Sequence, residues 1–462
     1  MGDNNNDKSL HIAMYPWLAM GHLKSFLELA NKLAQNHIHT SLILPHKTAL
    51  KLASDNHHPS LITFIPITIP QVEGIPPGVE TTADVPLPVE PFLMAAMDMT
   101  QETIDSLLTR LKPDIVLCDF AHWLPEMARK HGAKSLYYLT TYLMGTLYIS
   151  AQARNLPINH QYTEAELMEP PPCFPSQLIR LKTHEARYLA SACSMPCGGG
   201  MTLLERLIVS FRECDAIAVK SCKEMEGAYC DLAEEMFGKP VFLTGPVCPD
   251  PSVSTLDDHL NAWLNGFGRG SVIYCALGSE CVLTEEQFRE FVLGLELIGM
   301  PFLAAFKPPT GYNTTESALP EGFTEKIRGR GMIYDGWVQQ KLILEHPSVG
   351  CFVTHCGAGS LTEAIMSLSQ IVMIPQAVDQ FCNARLMSLE LKIGVEVETR
   401  TEDGFYDRHA IKNAISKAMD SESDLGKEVR INHSNLRRIM SCKRFEESYL
   451  SIFIKNLRQL LE

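Results

Sequence analysis

No apolar run in this sequence is long enough to cross a bilayer. The longest apolar-looking stretch, residues 137–151, carries three threonines and a serine and falls short of the roughly 20 residues that a spanning helix needs. Fourteen cysteines are present, yet no C-x2-C pair of zinc-ligand spacing occurs among them, so a zinc module is excluded and a reducing compartment fits best. No G-x-G-x-x-G follows a strand, which removes a nicotinamide oxidoreductase from consideration. No D-x-D stands near a strand end, so no metal site and no cofactor are expected. Positive charge is scarce: 40 Lys and Arg stand against 54 Asp and Glu, for a net charge of −14, which argues against nucleic acid or an anionic membrane as partner. There is no internal repeat and no long low-complexity tract. The opening MGDNNNDKS has no apolar signal core, and Asn6 stands where a myristoylation pattern wants Ser or Thr. A cytoplasmic protein is expected.

What is present is a long α/β chain. Its 462 residues, 45% of them hydrophobic, exceed one typical core and predict two domains. A strand at residues 11–15 leads through Pro16-Trp17-Leu18-Ala19-Met20-Gly21-His22 into a helix with Phe26, Leu29, Ala30 and Leu33 on one face. Strands follow at residues 40–44 and 114–118, the latter ending at Asp119, and alternation at this pitch predicts a parallel, doubly wound sheet. Proline-rich segments at 70–91 and 157–175 read as surface loops. A first domain over residues 1–246, a linker at 247–254 and a second domain over 255–442 are expected. The second domain opens with a strand at 271–277 and the turn Gly278-Ser279.

The densest pattern lies in residues 337–380. An apolar run, Val349–Thr354, has the length and β-branched content of a buried strand. It ends at His355-Cys356-Gly357-Ala358-Gly359, and a helix is predicted from Ser360 with Leu361, Ala364, Ile365 and Leu368 on one face. Strand, small-residue turn and helix start form an anion site, where backbone N–H groups and the helix dipole meet negative charge. A second apolar run, residues 371–375, leads to Asp379-Gln380, a carboxylate and an amide suited to hydroxyls. Together these read as a phosphate cradle with a sugar-sized polar site beyond it. The cysteines Cys351 and Cys356 read as packing.

This stretch resembles the donor-binding signature of plant UDP-dependent glycosyltransferases, W-x2-Q-x5-H-x8-H-C-G-W-N-S-x2-E-x15-D-Q. Trp337, Gln340, His346, His355, Cys356, Gly357, Ser360, Glu363, Asp379 and Gln380 fall on its anchors in spacing. Ala358 and Gly359 depart from it, standing where the pattern has Trp-Asn. The resemblance implies two facing doubly wound Rossmann-like domains of the GT-B type, and a final helix at about 443–462 that packs back on the first. It implies that Trp337 stacks on uracil and that Gln340 and Glu363 approach the ribose. Diphosphate would fall to His355 and Ser360, and the transferred sugar to Asp379 and Gln380. Gly21, Ser279, Val338, Gly357 and Gly359 complete the implied donor contacts, and His346 reads as structural. S-x-x-E at Ser360 and Glu363 is also a helix capping box, and that role stays open.

For catalysis, imidazole is the usual general base near neutral pH, and a carboxylate on its second nitrogen fixes the tautomer. His22 is the candidate base and Asp119 its partner; both contexts resemble the family's catalytic segments, with Ser25 where the family often has proline. His122 is the poorer candidate, expected inside the following helix. As an N-cap, Asp119 would have a merely structural role. The implied activity is inverting, metal-independent transfer from a UDP-sugar, glucose favoured, by a monomer to a small hydrophobic glycoside or phenolic acceptor. The wording around residues 14–17, 119–125 and 273–280 is most similar to the branch-forming subgroup, which adds sugar to the sugar of a flavonoid or anthocyanin 3-O-glycoside. Xylosyl or rhamnosyl transfer, a terpenoid or other aglycone as acceptor, and a catalytically silent UDP-sugar-binding protein are the alternatives.

Overall fold

A computed structural model describes residues 10–86, 89–198, 200–248, 255–336 and 338–462. The sequence positions Trp337 and 249–254 of the expected linker therefore lie outside the described residues, as does the segment containing Asn6.

Two all-parallel sheets organise the chain. The first has strands β1 (His11–Tyr15), β2 (His39–Pro45), β3 (Ile62–Ile67), β4 (Ile115–Cys118), β5 (Lys134–Leu139), β6 (Ala216–Val219) and β7 (Val241–Leu243), in the order β3-β2-β1-β4-β5-β6-β7. The second has β8 (Val272–Ala276), β9 (Phe302–Phe306), β10 (Gly331–Asp335), β11 (Val349–Thr354), β12 (Gln370–Met373) and β13 (Gly394–Glu396), in the order β10-β9-β8-β11-β12-β13. Helices cover both faces, which is why β1, β4, β8 and β11 read as near-continuous apolar runs. Strand order reverses between β1 and β4 and again between β8 and β11. Ligands of doubly wound sheets sit outside the carboxyl ends of the strands at such switch points. The two switch points deliver Trp17–His22 with Asp119 from one sheet, and Gly278-Ser279 with His355–Ser360 from the other.

The halves are tied together by side chains. Arg385, buried, donates to Glu185 at 2.8 Å and pairs with Glu396; breaking such a buried pair by removing one partner costs about 3–5 kcal/mol. Tyr229 donates to Glu390 at 2.5 Å and Thr82 to Glu280 at 2.5 Å. The last helix, Lys443–Leu460, returns to the first sheet, where Leu450, Phe453, Ile454 and Leu457 join the core of β1, β2 and β4. No helix of the described residues is long and apolar enough to cross a membrane.

Several local expectations need correction. The proline-rich segments are not simple surface loops: Thr81, Thr82, Tyr162, Leu167 and Phe174 are buried, a helix begins at Glu90 with Pro91 in its first turn, and Glu164–Met168 is helical. Proline is well placed there, since its missing N–H would have no partner in a helix's first turn. The helix after β11 begins at Ala358 rather than Ser360, with Gly357 as its cap residue, and ends at Met366, which leaves Leu368 exposed. His122 lies in the turn before the helix Leu124–Lys130, not inside it.

Candidate active site

The helix Met20–Ala34 starts without a side-chain cap, so its first turn is free to carry function. His22 sits there, half-buried, with its Nδ1 at 2.6 Å from Asp119 Oδ2 and 3.1 Å from Thr140 Oγ1. Asp119 is fully buried at the end of β4, and its Oδ1 accepts from the Trp17 N–H at 2.5 Å and the Phe120 N–H at 2.9 Å. It does not cap the following helix, so the N-cap role is not formed. With Nδ1 committed to the carboxylate, Nε2 is the nitrogen left to accept a proton. The Phe120 ring flanks His22 at 5.7 Å and meets Trp17 edge-on at 6.0 Å, giving the base an aromatic surround. Thr140, at the end of β5, was missed; only its place at the carboxyl end of a central strand pointed to it. His122 is engaged elsewhere, 3.3 Å from the buried Arg206, and burial together with that guanidinium lowers its pKa.

Across the cleft, β11 ends in a turn in which Cys356 takes φ +72°, a conformation few L-residues adopt. Asn383 supports it, donating to the Cys356 carbonyl at 3.0 Å. The helix Ala358–Met366 starts from this turn, and its first N–H groups have no intrahelical acceptor. A Cβ on either Gly278 or Gly357 would stand 2.6 Å from His355 Nε2, so only glycine on both sides lets the imidazole enter. Burial lowers the His355 pKa to about 4, against an opposing contact to the Ala276 carbonyl, and its buried Nδ1 has no hydrogen-bond partner. The ring is therefore neutral at pH 7 and donates without carrying charge.

Ser360 and Glu363 do not form the capping box. Gln340 Nε2 instead donates to Ser360 Oγ at 3.1 Å and to Glu363 Oε2 at 2.7 Å, so three of the expected donor-site residues form one polar set. Burial raises the Glu363 pKa; Gln340 opposes, and Glu28, Lys24 and Lys220 of the first half are close enough to contribute. Gly359 has open space around its Cβ position.

Asp379 precedes the helix Gln380–Arg385, and its Oδ2 accepts from Asn383 at 2.8 Å. Burial raises its pKa, and the Asn383 bond opposes that shift. Gln380 Oε1 accepts the N–H groups of Gln376 at 3.0 Å and Ala377 at 3.1 Å, so its amide nitrogen is the group left for a ligand. Val378 before them has φ +46°, a strained value for a β-branched residue and one associated with functional sites. Gly21, in the first turn of the helix Met20–Ala34, and Ser279, in the turn after β8, are exposed, and Val338 is buried beside Tyr334 and Gln339. His346 is occupied structurally, its Nδ1 2.8 Å from Ser348 Oγ in the turn before β11. Among the described residues no cluster of His, Cys, Asp and Glu is arranged to hold a metal ion, and all 14 cysteines are free, Cys351 and Cys356 buried.

Residues 241–428 match the model of the family described as UDP-glucoronosyl and UDP-glucosyl transferase. The chain is 49% identical to cyanidin 3-O-galactoside 2''-O-xylosyltransferase of Actinidia chinensis var. chinensis, over 98% of this chain and 99% of the relative. It is 47% identical to anthocyanidin 3-O-glucoside 2''-O-glucosyltransferase of Ipomoea purpurea, over 98% of both. In structure it is similar to Glycyrrhiza uralensis UGT73P12 complexed with glycyrrhetinic acid 3-O-monoglucuronide, with a TM-score of 0.79 at 23% identity, covering 98% of this chain and 96% of that one.

Proposed function

The chain belongs to the UDP-glucoronosyl and UDP-glucosyl transferase family, and on that premise we propose that it moves a sugar from a UDP-sugar onto the 2''-hydroxyl of a flavonoid or anthocyanin 3-O-glycoside. The observation that carries the reading is the His22–Asp119 pair, 2.6 Å apart, where β4 ends beside the start of the helix Met20–Ala34. His22 Nε2 takes the proton of the acceptor hydroxyl as its oxygen attacks the anomeric carbon. The bond to the diphosphate oxygen breaks, the electron pair leaves on UDP, and the configuration inverts. Asp119 stabilises the imidazolium that results. The diphosphate's developing charge falls on the free N–H groups of the helix Ala358–Met366, on Ser360 and on neutral His355, and we expect no metal because this donor set already supplies positive character. Gln340 and Glu363 are directed to the ribose. Asp379 holds sugar hydroxyls as a charged acceptor and Gln380 as a donor. Phe120, half-buried and backed by the buried Trp17, offers an aromatic face to a flat acceptor.

Neither Asp379 nor Gln380 needs the CH₂OH arm of a hexose, and the relatives named above divide between xylosyl and glucosyl transfer. UDP-glucose is our first choice of donor. The protein is assigned to the cytoplasm as a monomer. A matrix of UDP-glucose, UDP-xylose and UDP-rhamnose against a flavonoid 3-O-glycoside and its aglycone tests the proposal. Transfer to the glycoside with UDP-glucose preferred is the expected result. Preference for another donor overturns the donor choice, and transfer only to the aglycone overturns the acceptor.

A further inference from the structure

The segment after β5 touches both halves of the reaction. At its start, Thr140 Oγ1 lies 3.1 Å from Nδ1 of His22. Five residues on, Gly145 of the buried helix Leu143–Tyr148 meets the opposite half: a Cβ placed on it would stand 3.3 Å from Cys382 Cβ, 3.8 Å from Asp379 Cβ and 3.9 Å from the Asp379 carbonyl. Between these ends Tyr142 is buried, its hydroxyl without a hydrogen-bond partner among the described residues. The segment is anchored from behind by Glu226, whose Oε1 accepts the Met144 N–H at 2.8 Å. Glu226 is itself buried and departs from helical geometry, with φ −133° and ψ 20°, inside the helix Lys223–Phe237. A carboxylate held off its helical path to grip one backbone N–H fixes the segment's depth in the cleft.

We propose that residues 140–145 are a strut that sets the distance from the base to the transferred sugar, with Gly145 as its bare contact point on the Asp379 helix and Glu226 as its anchor. The inference rests on the reading of Asp379 as the holder of that sugar. The φ of Gly145 is ordinary, so only the space in front of it calls for glycine. A methyl there presses on Cys382 Cβ, so the helix that carries Cys382 and follows Asp379 must give by a few tenths of an ångström. Asn383 links that helix to the Cys356 turn, whereas His355, Ser360 and Gln340 lie on other elements, so the shift reaches the transferred sugar more than the nucleotide. Proximity effects make turnover sensitive to such shifts, with about a hundredfold loss per ångström of misplacement.

The test compares the full chain with Gly145→Ala, Gly145→Val, Glu226→Ala, Glu226→Gln and Asp379→Ala, measuring kcat for transfer and UDP affinity by calorimetry. Gly145→Ala is expected to lower kcat about tenfold and Gly145→Val about a hundredfold, with UDP affinity within about twofold of the parent. Adding Cys382→Gly to Gly145→Ala removes the carbon that the new methyl meets and restores most of the loss. Glu226→Ala lowers kcat, and Glu226→Gln, which keeps an acceptor for the Met144 N–H, recovers most of it. Parental kcat in both Gly145 variants overturns the strut, as does UDP affinity falling in step with kcat or an absence of rescue by Cys382→Gly. Asp379→Ala separates the two readings: normal transfer in that variant removes the sugar assignment itself, whereas its inactivity beside normal Gly145 variants removes the strut alone.

Discussion

Asp119→Asn is the most informative single exchange in the base. Asp119 Oδ1 receives two backbone N–H groups, from Trp17 at 2.5 Å and Phe120 at 2.9 Å, while Oδ2 receives His22 Nδ1 at 2.6 Å. Asparagine has one oxygen to serve both sides. Turning its NH₂ toward Trp17 and Phe120 would leave two buried N–H groups unsatisfied, at about 1–3 kcal/mol each, against a gain of about 1 kcal/mol for one neutral hydrogen bond to His22. The oxygen therefore stays with the two N–H groups and the NH₂ faces His22. It donates to Nδ1, so the proton of the neutral imidazole moves to Nε2, and the nitrogen that should receive the acceptor's proton already carries one. The loss expected from this wrong tautomer is about 10⁴ in kcat, or about 5.5 kcal/mol of barrier. UDP affinity stays near the parental value, because the residues assigned to uracil, ribose and diphosphate lie in the second half of the chain. Steady-state transfer at saturating acceptor, beside UDP calorimetry, reads both quantities. A fall in kcat of less than about tenfold would refute the assignment of Asp119 as the group that fixes the His22 tautomer.

His22→Ala should remove about 10²–10⁴ in transfer rate while leaving UDP affinity within about a few-fold, and near-normal turnover would remove it as the base. His355→Ala should weaken UDP and UDP-sugar alike by about 1.5–3 kcal/mol, the range for a hydrogen bond to a charged group, and unchanged calorimetric binding would misplace the diphosphate. Glu226 is raised by burial from 4.5 to about 7, so its share of stability is complete below pH 4.5 and is lost as pH rises toward about 7, an effect on the order of 3 kcal/mol. Glu90 follows the same sign, whereas lowered His355 loses stability as pH falls from 6.5 toward about 4. Glu226→Gln should flatten the decline between pH 4.5 and 7 in denaturant titrations, and an unchanged slope would contradict the assignment.

Local signals carried the donor side and tertiary ones the rest. The run Val349–Thr354 and the small-residue turn after it are readable because a buried strand and a glycine turn are short-range patterns. Ser360 and Glu363 misled at the helix start for the same reason, since S-x-x-E is a local capping pattern. In the fold, Gln340, 20 residues upstream of Ser360, takes both side chains, and Ala358 and Gly359 wind into the first turn. Asp119 was legible because it ends an apolar strand. Thr140 was not, because nothing near it in sequence marks its bond to a histidine 118 residues away. Gly145 and Glu226 were invisible for the same cause: one matters for the absence of a side chain opposite Cys382, the other for a backbone N–H 82 residues distant.

These distant contacts couple the two halves of the site. The helix Gln380–Arg385 grows from the second sheet, yet its ends are held by the first half of the chain. Asp379 and Cys382 abut Gly145 at its start, and Arg385 at its end is bound to Glu185 at 2.8 Å. The diphosphate cradle depends on the first half less directly: His355, Gly278 and Gly357 lie in the second half, and the tie runs only through Asn383 of the same helix, which donates to the Cys356 carbonyl. A change in the seam between the halves therefore reaches the transferred sugar before it reaches the nucleotide. Kinetic damage from the seam should fall on kcat at constant UDP affinity, and damage from the cradle should fall on UDP affinity itself.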